Sequence, residues 1–163
     1  MGLDGFLEIV REETRSYRRL LRLLHRQRHY LMRRDTRRLA RLSEELANRV
    51  PRSRRLAVAR EAYLGRVARK AGVDPAQVDL QILAVGADPS MRESVRQALA
   101  DLAMAGAELY RRNLRNHHLA TVSLDLVQEE LAHLVGQAGE TPGYSSDGEA
   151  DASPGQGVVD GRA

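Results

Sequence analysis

The chain has 163 residues with no Cys, no Trp, one Phe and five Tyr, and its 26 basic against 22 acidic residues give a formal net charge of +4. That length suits one ordinary domain, whose core must be built from Leu, Val and Ala because aromatics make up only 4%. The lack of Cys excludes disulfides, thiol nucleophiles and Cys-based zinc sites, and no apolar run reaches the ~18 residues of a membrane span. Met1-Gly2-Leu3-Asp4 lacks the basic-then-apolar layout of a signal peptide. A soluble, cytoplasmic protein without membrane insertion is expected.

The modest net charge conceals an uneven distribution. Residues 1–72 hold 19 Arg and Lys70 against eight acids (+12), residues 73–136 hold five Arg against nine acids (−4), and residues 137–163 hold Arg162 against five acids (−4). A basic first half and an acidic remainder suggest two roles, or two faces that attract each other.

Leu3, Leu7, Val10, Thr14, Tyr17, Leu21, Leu24, Arg28 and Leu31 recur at steps of four and three, the seam of a coiled coil or bundle helix. The seam continues through Asp35, Leu39, Leu42 and Leu46, with two successive steps of four that make a stutter. No Gly or Pro interrupts residues 6–50, so the spacing predicts one helix about 65 Å long and an elongated molecule. Pro51 is expected to break it, because proline lacks an N–H and disfavours helix at Val50. A second helix is predicted from Arg52 to Ala71, closed by Gly72. Asp74-Pro75-Ala76-Gln77 has the form of a helix start and opens a short helix to Leu83, ended by Gly86. Asp88-Pro89 or Ser90-x-x-Glu93 caps a last long helix to about Val135. That helix carries Val95, Leu99, Leu102, Gly106, Leu109, Asn113, Asn116, Ala120, Ser123, Val127 and Leu134 at heptad spacing. Residues 137–163 include eight Gly or Pro and almost no large apolar side chain, the composition of a disordered tail. The predicted fold class is all-α: two long antiparallel helices, one or two shorter connecting helices, and a flexible acidic tail, with the helical domain at 1–136 and the tail at 137–163.

Catalysis is disfavoured by what is missing. There is no phosphate-cradling Gly-rich loop, no nucleophile elbow and no supported pair of carboxylates. His25 and His29 share a helix face at i, i+4, but no carboxylate lies at ligand spacing and the surrounding arginines repel a cation. His117 and His118 are adjacent and point about 100° apart. No metal or other cofactor is expected. Nine arginines between Arg18 and Arg41, all but the seam residue Arg28, spread around their helix and lack an aromatic stacking platform, so solvated surface or an acidic protein partner is favoured over nucleic acid. Asn113 and Asn116 interrupt an apolar seam where Leu would be expected. Two readings stand side by side: a buried polar pair that fixes register, or an open stretch of groove awaiting a partner helix.

The stretch from Glu108 to Leu119, with Asn113-x-x-Asn116-x-x-Leu119 followed by Ser123-Leu124, resembles the N-x-x-N-x-x-L…S-L signature in the C-terminal helix of FlgN-type flagellar chaperones. Tyr17-x-x-Leu20-Leu21-x-Leu23-Leu24, then Leu31, Asp35, Leu39 and Leu42-x-x-Glu45, is similar to the family's first helix, although Arg replaces many of its Glu residues. The resemblance covers residues 3–148. It implies a cytosolic type III export chaperone that binds the terminal amphipathic helices of the hook–filament junction proteins FlgK and FlgL and prevents their premature assembly. By matching position it implies a client-binding set of Leu109, Asn113, Asn116, Leu119, Ala120 and Ser123. It also implies docking of Tyr144, in the tail, to the export-gate component FlhA. Neither the client preference nor the choice between monomer and homodimer is implied. The competing functions are a coiled-coil structural adaptor using the same seam and, less favoured, a basic helical protein associated with nucleic acid.

Overall fold

A computed structural model describes residues 2–139, which form helices and turns and no strand. Helix α1 spans Leu3–Met32, α2 Thr36–Ala71, a 3₁₀ turn Pro75–Gln77, α3 Leu80–Leu83 and α4 Pro89–Gly139. The all-α bundle expected from the heptad spacing is what the structure shows, but its boundaries differ, chiefly in three places.

First, the helix predicted over 6–50 ends at Met32. Arg34 adopts φ +52°, a left-handed conformation that stops the helix. Asp35 then caps α2, its side chain accepting from the Arg38 N–H at 2.9 Å. The double step of four through Asp35 is therefore a hairpin turn. Second, Pro51 lies inside α2, so no second helix begins at Arg52. Its missing N–H would have bonded the carbonyl of Ala47, four residues back. Both residues are exposed, so water can take that carbonyl. Third, the helix expected from Pro75 to Leu83 is split. Asp74 accepts from the Ala76 N–H at 2.8 Å and supports one 3₁₀ turn, while Asp79 accepts from the Ile82 N–H at 2.8 Å and starts α3.

The predicted stop at Gly72 and start at Asp88 hold, whereas α4 runs past its predicted end at about Val135. Gly72 closes α2 at φ +69°. Asp88 opens α4, accepting from the Met91 N–H at 3.0 Å. That bond and the Ser90 hydroxyl hold the Asp88 carboxyl below its ordinary pKa. Helix α4 continues through Gly136 to Gly139, and the predicted tail from residue 140 lies outside the described residues.

The chain divides into two compact units after Leu124. Within the first, side-chain pairings fix the helix directions. Phe6 stacks on Tyr63, Glu13 pairs with Arg60, Ser16 with Ser53 and Arg26 with Glu45, so α2 runs antiparallel to α1. Arg18 pairs with Asp101, Gly106 lies against Tyr17 and Asn116 reaches Leu24, so α4 runs parallel to α1.

Two apolar clusters follow one another along this bundle. One gathers Phe6, Leu7, Val10, Tyr63, Leu83, Val95, Ala98 and Leu102. The other is built on Leu20, Leu23 and Leu42, with Tyr30, Leu46 and Leu109 packed against it. A buried polar layer separates them. In it Glu13 accepts from Arg60 Nε at 2.7 Å and from the Tyr17 hydroxyl at 3.0 Å, and Ser16 and Ser53 share a hydrogen bond of 2.6 Å. Every buried side-chain polar atom among the described residues has a partner. In the second unit, the final turns of α4 carry Leu126, Val127, Leu131 and Val135 exposed.

Candidate functional site

Two clefts of similar size open on the first unit, and their linings differ in kind. One, about 560 Å³, lies between α1 and α4 and is lined by Arg11, Arg15, Arg18, Glu93 and Asp101, among others. Its charges are largely matched: Arg15 bonds Glu8 and Glu12, Arg18 bonds Asp101, and Gln97 bonds Asp101. Such exposed pairs contribute little, and they leave Arg11 as the lining charge without a partner among the described residues.

The other cleft, about 570 Å³, is mainly apolar and is built by three helices. Tyr17, Leu20 and Leu24 of α1 form its floor. Leu46, Val50 and Ala57 of α2 form one wall, and Gly106, Leu109, Tyr110 and Asn113 of α4 form the other. The shape follows from the bundle. Helices α2 and α4 both pack on α1, and the position a fourth helix would take between them is open. Small side chains at Ala57 and Gly106 widen the opening, and Val50 and Tyr110 stand exposed beside it.

The polar lining of this cleft is mostly committed elsewhere. The Tyr17 hydroxyl donates to Glu13, and burial followed by the Glu13 charge pushes the phenol above its ordinary pKa. Ser53 is bonded to Ser16, and Gln27 Oε1 accepts from Asn116 at 2.9 Å. Arg54 and Asn113 are the lining side chains of charge or amide character that have no hydrogen-bond partner among the described residues.

Of the six client-binding positions expected from the sequence, the three-helix cleft takes in two. Leu109 and Asn113 line the three-helix cleft. Asn116 does not. It is only 4% exposed, and its amide donates to the Leu24 carbonyl at 2.7 Å and to Gln27 at 2.9 Å. Of the two readings of the paired asparagines, register control fits Asn116 and open groove fits Asn113. Leu119, Ala120 and Ser123 are half-buried outside the cleft lining, and the Ser123 hydroxyl donates back to the Leu119 carbonyl at 2.8 Å. Tyr144 lies outside the described residues. Sequence reasoning assigned no site role to Leu20, Leu46, Val50, Arg54 or Tyr110. The signal for the floor was present in the α1 seam, which already held Tyr17 and Leu24.

Replacing Asn116 by alanine is expected to lower stability by about 1–2 kcal/mol, because two buried hydrogen bonds are lost. Asn113→Ala, at an exposed position, should stay within about 0.5 kcal/mol of the parent. Urea unfolding followed by circular dichroism checks both values.

The histidines and arginines are likewise placed. His25 Nδ1 lies 3.4 Å from Arg112 Nη1, and His29 meets Tyr30 edge-on. Glu108 is clamped by Arg112 and Arg111, which hold its carboxyl below its ordinary pKa. No helix among the described residues is long and apolar enough to cross a membrane.

No curated protein and no solved structure gives a significant match to the chain. A family model described as FlgN protein matches residues 1–152, nearly the whole sequence. The chain belongs to the FlgN family of flagellar export chaperones.

Proposed function

We propose that this chaperone is cytosolic and that its clients are FlgK and FlgL, whose terminal amphipathic helices it holds in the three-helix cleft until export. The observation that carries this reading is the cleft itself: an uncovered apolar seam between α1, α2 and α4, shaped as the vacant position of a four-helix bundle. A helical client suits it better than an extended one. An extended segment would bring unpaired backbone N–H and C=O groups to a lining that offers few free partners, whereas a helix satisfies its own. Covering the client's apolar stripe would keep it from assembling early and requires no nucleotide or metal. Docking of Tyr144 to FlhA belongs to the same proposal, supported by a single aromatic side chain set in a stretch of Gly, Ser and acids.

Val50→Arg tests the site. Val50 is 38% exposed at the edge of the cleft, so the fold should tolerate the change while a charge enters the apolar opening. Affinity for peptides of the FlgK and FlgL terminal helices, measured by calorimetry, is expected to fall at least about tenfold, equivalent to ~1.4 kcal/mol. Unchanged affinity would remove the cleft from the binding site. A parent chain that bound neither peptide would remove FlgK and FlgL as clients.

A further inference from the structure

We propose that Arg54 selects the occupant of the cleft by requiring an acidic side chain at the edge of its apolar face. This rests on the cleft's role as the client site and adds a criterion for what it accepts.

Arg54 is the one charged residue among those lining the cleft. It stands exposed on α2, one turn from Val50 and beside Ser53. No carboxylate among the described residues engages it. Of the arginines close to it in sequence, Arg49 is held by Glu45, Arg52 by Glu12 and Arg60 by Glu13, while Arg55, like Arg54, engages no carboxylate among the described residues but does not line the cleft. The lining therefore presents an apolar floor and one guanidinium whose five N–H donors have no protein acceptor. A carboxylate is the group that matches it, bidentate if the two planes align. Asn113, on the opposite wall, is neutral and can serve a polar side chain of either kind.

The charge pattern separates the candidate occupants. A second copy of this chain brings +12 on its first 72 residues and is net acidic only over residues 73–163, at −8. Self-association of the parent chain at the calorimetric concentrations, lost in Arg54→Glu, would identify that occupant and overturn a client helix as the partner. A nucleic acid would find one arginine over Leu20, Leu24, Leu46, Val50 and Leu109, which offer nothing to phosphates. An amphipathic helix with Leu or Val along one stripe and Asp or Glu three or four residues from its centre fits both the floor and Arg54.

The test is a charge-swap cycle with the full chain and synthetic FlgK and FlgL terminal-helix peptides, read by calorimetry at low and physiological salt. Arg54→Glu should weaken the parent peptide about tenfold or more, and Arg54→Ala by a smaller factor, with circular dichroism unchanged. Converting the responsible peptide acid to Lys should weaken binding to the parent chain and restore it to the Arg54→Glu chain. The effect should shrink as salt rises. Parent-peptide affinity that is the same for Arg54→Glu, while Val50→Arg still impairs binding, would overturn the role of Arg54 and leave the cleft as the client site. Lys-bearing peptides that bind the parent chain as tightly as the acidic originals would overturn it equally. Failure of the parent chain to bind any of these peptides would remove FlgK and FlgL as clients, and this selection with them.

Discussion

Glu13→Ala is expected to destabilise the chain by about 3–5 kcal/mol, the cost of breaking a buried ion pair from one side. Glu13 is 0% exposed and lies between the two apolar clusters, where it accepts from Arg60 and from the Tyr17 hydroxyl. Removing the carboxylate leaves a guanidinium, whose side chain is only 23% exposed, with only the looser contact to Glu61 at 4.0 Å, and leaves the Tyr17 hydroxyl without its acceptor. The penalty comes from what is abandoned, not from the strength of the pair. The double variant Glu13→Leu with Arg60→Leu should recover most of the loss, because apolar replacements of similar volume need no desolvation. Urea unfolding followed by circular dichroism measures both. A loss below about 1 kcal/mol in the single variant would mean that the layer is hydrated and that Glu13 does not tie α1 to α2.

The second large effect concerns the first apolar cluster. Phe6→Ala should cost about 3–5 kcal/mol through lost burial and the cavity left behind. Phe6 is the sole phenylalanine of the chain, is 0% exposed, and stacks on Tyr63 with ring centroids 4.7 Å apart. Residues so close to a helix terminus ordinarily fray at little cost. Here the first turns of α1 are anchored by contacts to Tyr63, Leu83 and Val95, drawn from three other helices. Thermal unfolding checks this. A melting temperature within a degree or two of the parent would show that the end of α1 is dispensable to the core.

The helix content, the cap at Asp88 and the stop at Gly72 were legible in the sequence because each rests on local chemistry. Two of the misplaced boundaries show where local chemistry loses. Arg33-Arg34-Asp35-Thr36 contains neither Gly nor Pro, and its turn depends on placing Arg34 in a left-handed conformation. The clue was Asp35, a strong N-cap residue, sitting where the seam required an apolar one. Pro51 posed the opposite problem. A local rule stops a helix there, yet Leu42 and Ser53 on either side are both buried against α1, and that packing holds α2 continuous through the proline. The proposed client site was half legible. Asn113 and Asn116 stood out equally, because sequence spacing of three cannot tell a residue facing α1 from one facing an opening beside it. Arg54 was hidden among 25 arginines, and only its place in the lining of the cleft sets it apart.

The polar layer between the clusters also limits sliding. Moving α2 along α1 by one helical turn, about 5.4 Å, would part Ser16 from Ser53 and Glu13 from Arg60 together, whereas a hydrophobic seam alone would tolerate the slip. The floor of the cleft and its Arg54 wall are thus keyed to a single alignment. If the cleft holds a client as proposed, the opening would act as a gauge of one length for the incoming stripe of side chains.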